Sequence, residues 1–250
     1  MNKISSERRV QILHLLVEGN SLRSTARIAE VSRNTVDRLL HEIGGACLRF
    51  QDEVMRNLTC RCVQCDDIWS FVGMKQKNAP KDDKGAFDFG DIYTWTAIDV
   101  DTKLVPCWYV GSRDAEAARE FIRDLASRLN RHTQLTMDGH KAYVEIGEDA
   151  FSACVNYAML IKLYGNATGC EDETQNPTIR MNIRRFTLLT NAFRKKLENH
   201  MHAISLHFMH YNFGRIHKAL DVTPAIEAGI ADHVWKMEEI LALIPDKEPN

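Results

Sequence analysis

The sequence predicts an α/β fold: a mixed five-stranded sheet with flanking helices, preceded by a small all-α unit with helix-turn-helix spacing. Three observations predict it. Residues 6–50 carry apolar positions at helical spacing, restarted twice at a serine. Residues 63–111 hold successive β-rich runs, two of them joined by a tight-turn signal. From residue 114 onward helical and strand patterns alternate, and the chain then runs into a long helical stretch.

Bulk properties set the frame. A chain of 250 residues, 44% hydrophobic, can bury one good core with room for a small accessory unit. The expected division is 1–57 for the helix-turn-helix unit, 58–220 for the α/β domain and 221–250 for a C-terminal helical tail. A formal net charge of −2 argues against a uniformly basic nucleic-acid binder, although a whole-chain sum can hide a local patch. Seven cysteines behind a polar start, with no secretory signal pattern, fit a reducing, cytoplasmic setting rather than a disulfide framework. No run of 18 apolar residues occurs, so no membrane helix and no membrane partner are expected.

The helical unit comes first. Val10, Ile12, Leu13, Leu15, Leu16 and Val17 predict a helix over 6–18, stopped by Gly19-Asn20. Ser21 can cap a short helix through Ala29, Val31 fills the turn, and Ser32 can cap another helix from Arg33. In a helix-turn-helix that second helix enters the major groove by its first residues. Here these are Arg33, Asn34, Thr35 and Arg38, side chains suited to base edges and phosphates. Ala26 and Val36 would pack the pair. An ordinary hairpin with a solvated charged face is the competing reading. Charge does not separate the two, because residues 1–56 hold 9 Lys/Arg against 7 Asp/Glu.

Cys60, Cys62 and Cys65 have a spacing that thiolates can use around zinc, but no fourth ligand lies nearby and Cys65 falls inside a strand pattern, so small core side chains are the better reading. That strand, 63–72, sets Asp66 and Asp67 side by side among Val63, Ile68, Trp69, Phe71 and Val72. A carboxylate in such surroundings needs a cation, a metal or a hydrogen-bond donor. A polar loop over 75–90 precedes β-rich runs at 92–100 and 104–111, joined by Asp101-Thr102-Lys103, with Asp99 and Asp101 as turn formers. Asp114 caps a helix through Leu129 whose Ala117, Ala118, Phe121, Ile122, Leu125 and Leu129 form one apolar stripe. A fourth strand ends at Asp138-Gly139, a helix follows near 141–146, and 153–164 reads as a fifth strand.

The order β-β-β-α-β-α-β followed by helices is the ribonuclease-H-like order. In that fold strands one and four are neighbours, so Asp66 and Asp138 would meet although 72 positions (138 − 66) separate them. Carboxylates so placed suit Mg²⁺. The bland alternatives are a salt bridge from Asp66 to an arginine and an Asx turn at Asp138 before Gly139.

The stretches "VQCDDIWSFVGMKQKN", "DVDTKLVPCWYVGSRDAEAA", "LTMDGHKAY", "IRMNIRRFTLLTNAFRKKLENH" and "HFMHYNFGRIHKALDVTPA" together resemble a bacterial insertion-sequence transposase of the DDE superfamily, in the IS-one-like group. The resemblance covers most of residues 20–235. It implies Asp66 and Asp138 as the first two catalytic and metal-binding carboxylates, with Asp67 where relatives carry Glu, and Glu173 in "ETQNPTIRM" as the third. Three such carboxylates can hold two Mg²⁺ (or Mn²⁺) about 3.5–4 Å apart for phosphoryl transfer. The implied activity is Mg²⁺-dependent cleavage and transfer of DNA strands. The implied partners are double-stranded DNA, as terminal inverted repeats and target, and further copies of the chain. The segment between Tyr164 and Glu173 is shorter than in relatives, and Thr174 and Pro177 replace their Arg and Leu. Two other functions therefore stay open: an internally deleted, catalytically defective DNA-binding copy, and a ribonuclease-H-like nuclease.

The hidden basic charge lies downstream. Residues 178–220 hold eight Lys/Arg against one acid, Glu198. Arg184, Arg185, Lys195, Lys196 and Arg215, with His217, are the candidate contacts to a DNA backbone. Five of the ten histidines fall in the same span, and without a carboxylate or thiolate cluster they read as packing and phosphate contacts rather than metal ligands.

Overall fold

The computed structural model describes residues 4–72, 90–130, 133–138, 155–160 and 197–245, with 138 and 155–160 by backbone alone. The expected helix near 141–146, Glu173 and the basic residues 180–196 lie outside the described residues.

Capping serines build the N-terminal helices. In α1 (Ser6–Val17) the Ser5 hydroxyl accepts from the Arg8 N–H. In α2 (Leu22–Ile28) Ser21 accepts from Ser24, and in α3 (Arg33–Val54) Ser32 accepts from Thr35. The turn between α2 and α3 passes through Glu30 at φ 52, a left-handed position outside both helices. Ala26 and Val36 are buried there.

Among the described residues the sheet is mixed, with strands in the order β3-β2-β1-β4-β5. Its strands are β1 (Cys62–Val72), β2 (Gly90–Asp99), β3 (Trp108–Gly111), β4 (Thr133–Asp138) and β5 (Val155–Leu160). β1–β2 and β2–β3 pair antiparallel, while β1–β4 and β4–β5 pair parallel. This arrangement is consistent with a ribonuclease-H-like fold. The β-rich run at 104–111 forms a strand only from Trp108. Leu104 and Cys107 still accept β2 N–H groups through their carbonyls, from Asp99 at 2.8 Å and Ala97 at 3.2 Å, but Pro106 has no N–H to give to a ladder and both polar groups of Val105 are taken by the Asn212 side chain, so 104–107 does not continue the regular ladder.

Helices cover both faces of the sheet. α4 (Ala115–Arg128), capped by Asp114, lays Ala117, Ala118, Phe121, Ile122 and Leu125 against Val63, Cys65, Trp95, Ala97, Leu135 and Met137. α5 (Leu197–Met209) packs Leu197, Ile204 and Phe208 on Ile68, Val72, Ile92 and Ile98 on the other face. The larger buried cluster also takes in Ile12, Leu13, Val36, Leu40 and Ile43, so α1 and α3 share a core with the sheet. A π-helical turn (His210–Gly214), α6 (Pro224–Glu227) and α7 (Met237–Ala242) follow among the described residues.

Candidate active site

Strand β1 changes its buried face midway. Odd positions Val63 and Cys65 are buried in its first half, and even positions Ile68, Ser70 and Val72 in its second. The ladder with β2 runs from Val63↔Asp99 to Val72↔Gly90 without an extra residue, so the strand itself does not slip. The switch reflects coverage: α4 covers one face early and α5 covers the opposite face late. Asp66 and Asp67 stand at the changeover, both half-buried. At this changeover neither residue belongs to the fully buried set, although the Asp67 side chain itself is only 8% exposed.

The parallel register of β1 and β4 ends at Cys65↔Met137. The next residues on the two strands are Asp66 and Asp138, the latter closing β4. Neighbouring strands lie about 4.8 Å apart and side-chain positions alternate, so positions 66 and 138 share one face of the sheet. On that face the Asp66 Oδ1 accepts the Asp67 N–H at 2.8 Å. Thr96, opposite Asp66 on β2, donates its hydroxyl to the Asp66 carbonyl at 3.3 Å. Hard oxygen donors side by side on adjacent strands are the ligand set that Mg²⁺ prefers. Glu173 lies outside the described residues.

Asp67 belongs to the other face. Its Oδ2 accepts from Arg113 Nε at 2.9 Å, and the guanidinium carbon sits 5.5 Å from the centre of the Tyr93 ring. Burial raises the Tyr93 phenol above its ordinary pKa, which Arg113 opposes and Asp91 and Asp67 reinforce. The cation that a strand carboxylate demands is thus spent on Asp67. Asp99 is a turn former as expected, its Oδ2 accepting the N–H and hydroxyl of Thr102.

Cys62 and Cys65 fall on opposite faces of β1, so the Cys60/Cys62/Cys65 spacing does not converge on a metal. Burial, reinforced by Asp99 and Asp101, pushes the Cys60 thiol up to about 12. Such a thiol stays protonated, as a core side chain should.

The candidate DNA contacts divide. Arg33, Asn34 and Arg38 are exposed at the start of α3, free of the core packing that holds Val36. Thr35 is engaged in the cap, its hydroxyl 2.8 Å from that of Ser32. Arg215 is exposed just past the π-helical turn. His217 serves a local turn: its N–H donates to the Val222 carbonyl and its Nδ1 accepts from Ala219. Arg184, Arg185, Lys195 and Lys196 lie outside the described residues.

Two features escaped sequence reasoning. Arg113 stands 46 positions from its partner Asp67. The group His41, Glu198 and His202 likewise joins two distant helices. The Glu198/His202 i,i+4 spacing was visible in the sequence, but the third member was not.

Among the described residues no helix is long and apolar enough to cross a membrane. No protein-family model matches the sequence, and no curated protein matches it. Among solved structures, the chain is similar to one in the crystal structure of a pre-cleavage Mos1 transpososome, at 13% identity and a TM-score of 0.26. The match covers 66% of this chain and 61% of that one, so it spans less than two thirds of that protein's length.

Proposed function

We propose that the protein is a DNA transposase of the DDE type. In this reading Asp66 and Asp138 hold Mg²⁺ (Mn²⁺ as substitute), Glu173 completes the set, and α2–α3 act as a helix-turn-helix on the ends of an insertion element. The observation that carries the proposal is the parallel β1–β4 register, which brings positions 66 and 138 side by side from 72 residues apart (138 − 66). An Asp66 carboxylate steered by the Asp67 N–H, with Asp67 itself neutralised by Arg113, supports one metal-facing carboxylate on this strand rather than two.

Bound divalent ions would supply Lewis-acid activation of a hydroxyl nucleophile and charge relief at the leaving oxygen. The chain's own residues hold the ions, orient the carboxylates and grip the DNA. Exposed Arg33, Asn34 and Arg38 are suited to the last task.

The test is cleavage of a supercoiled plasmid carrying the element ends, with Mg²⁺ and with Ca²⁺. Asp66→Asn and Asp138→Asn keep side-chain shape and lose the charge, so each should abolish Mg²⁺-dependent cleavage in a folded protein. Full activity in Asp66→Asn would sink the assignment. A wild-type protein that binds the ends yet never cuts them would instead favour the deleted, DNA-binding copy.

A further inference from the structure

Where α3 crosses α5, three ligand-type side chains converge. His41 Nδ1 lies 3.6 Å from Glu198 Oε1, and His202 Nε2 lies 3.8 Å from the same oxygen. The two imidazole centroids are 4.6 Å apart, with the rings tilted by 57°. Both N···O separations are too long for a hydrogen bond. They are close to the roughly 3.4 Å edge of a tetrahedron with ~2.1 Å metal–ligand bonds. One ligand atom from each residue lies within 4.8 Å of the other two, so small rotamer adjustments bring all three onto one ion.

The group exists only because the two helices pack, and that packing is fixed by other contacts. Gly44 makes the close approach possible: a Cβ there would run into the His202 Cβ and lie 2.7 Å from its Cα. Ser205 donates its hydroxyl to the Gly44 carbonyl at 2.9 Å, and Gln51 donates to the Ser205 carbonyl at 3.2 Å. Asn199 donates to Asp37 Oδ1 at 3.3 Å. The backbones that carry the ligands are therefore held in place in advance. The Glu198 side chain is 66% exposed and that of His41 31%, which leaves room for water at a remaining coordination position.

We infer that His41, Glu198 and His202 form a binding site for a divalent transition-metal ion, zinc being the member that fits. Two imidazoles and one carboxylate are a common zinc set, and zinc accepts three protein ligands plus water. Mg²⁺ disfavours such a nitrogen-rich set, so this site and the all-oxygen pair at 66 and 138 select different ions. A bound ion would staple α5 to α3, the helix that carries Arg33 and Arg38. The inference does not depend on the proposed transposase activity.

The test uses the full chain, freed of metal by a chelator and titrated with Zn²⁺ near neutral pH. One tight equivalent is expected, lost in His41→Gln and in His202→Gln and weakened by about tenfold or more in Glu198→Gln. The melting temperature should rise with Zn²⁺ and not with Mg²⁺, because the ion binds only the packed helices. Seven cysteines could also take zinc. Co²⁺ in place of Zn²⁺ separates the two: histidine and carboxylate ligands give visible d–d bands without the near-ultraviolet thiolate charge-transfer band. A thiolate band, or the same Zn²⁺ equivalent and melting shift in the histidine variants, would overturn the inference. Glu198 is exposed enough that Glu198→Gln folds, so its affinity decides the matter should a histidine variant fail to fold.

Discussion

Asp67 and Arg113 meet at 2.9 Å on the face of the sheet opposite to position 66. The Asp67 side chain is only 8% exposed and that of Arg113 37%, so a nearly buried carboxylate meets a cation that still reaches water. This explains how a central strand tolerates adjacent carboxylates: alternation sends them to different faces, and the nearly buried Asp67 takes a guanidinium. Arg113→Ala removes a charged hydrogen bond from a nearly buried acceptor. It should cost about 1–2 kcal/mol, a figure discounted for the exposure of the arginine. Urea unfolding measures it. An unchanged midpoint would mean that solvent replaces the guanidinium without loss. Asp67→Asn should behave alike and leave plasmid cleavage per folded molecule intact, in contrast to Asp66→Asn.

Asn212 imitates a strand neighbour. It is fully buried, its Oδ1 accepts the Val105 N–H at 3.0 Å, and its Nδ2 donates to the Val105 carbonyl at 3.0 Å. The π-helical turn places it there, between the end of α5 and the segment around Pro106 that leaves the regular ladder. Asn212→Ala strands two buried backbone groups and opens a small void, for a loss of about 2–4 kcal/mol. Asn212→Asp keeps the acceptor and turns an oxygen toward the Val105 carbonyl, so it should rescue little. Thermal melts of both variants decide this. A loss confined to the alanine variant would argue for the void rather than the paired hydrogen bonds.

Local chemistry was legible in the sequence, as was the adjacency of β1 and β4 that the element order implied, but individual long-range side-chain pairings were not. Ser21, Ser32 and Asp114 cap the helices that their spacing suggested, because a cap involves only the next three residues. The Asp101-Thr102-Lys103 turn reads the same way, Lys103 taking a positive φ of 59. The run 104–111 looked like one strand because β-propensity carries no information about Asn212, which lies 107 positions on from Val105. Arg113 and His41 were unreadable for the same reason. Each acts through a partner that only the packing of α3, α5 and the sheet supplies. The candidate site was half legible: Asp66 stood out as charge inside an apolar strand pattern and Asp138 as charge at the end of one, whereas the switch of buried face at Asp66 depends on where two helices happen to lie.

His233 is set between two acids, Nδ1 2.6 Å from Asp232 Oδ1 and Nε2 2.7 Å from Glu239 Oε1. The hydrogen bonds to Glu239 and then Asp232 raise its pKa above 6.5. A raised folded-state value means that the imidazolium's stabilisation is complete below about 6.5 and fades as pH climbs through the folded pKa. The Glu239 carboxyl is lowered from 4.5 by the Lys236 N–H and by His233, and that of Asp232 from 3.8 by His233. Their contributions are present above those unfolded values and fade as pH falls through the folded ones. All three charges therefore support the start of α7 between about pH 4.5 and 6.5. In a proton NMR titration the ring resonance that disappears in His233→Gln should have its midpoint above 6.5, and added salt should move it back. A midpoint at or below 6.5 would remove the pair of acids as its cause.

The start of α3 yields the prediction closest to the proposed function. Arg33, Asn34 and Arg38 are exposed there, while Thr35 is tied into the Ser32 cap and Val36 into the core. A helix that enters a major groove reads bases with its exposed first-turn side chains and uses its cap only to hold its own shape. Arg33→Ala and Arg38→Ala should each weaken binding to the element ends by about 1–3 kcal/mol if the side chain reads a base. Binding to unrelated DNA should change far less. Ser32→Ala acts differently. It removes the acceptor for the Thr35 N–H, costs about 1 kcal/mol of folding stability, and should weaken DNA binding only as far as it frays the helix. Fluorescence anisotropy on both DNAs, with melts alongside, separates these cases. Equal losses on the two DNAs would assign the arginines to phosphates. No loss on either would remove this helix from recognition, and with it the helix-turn-helix part of the proposed function.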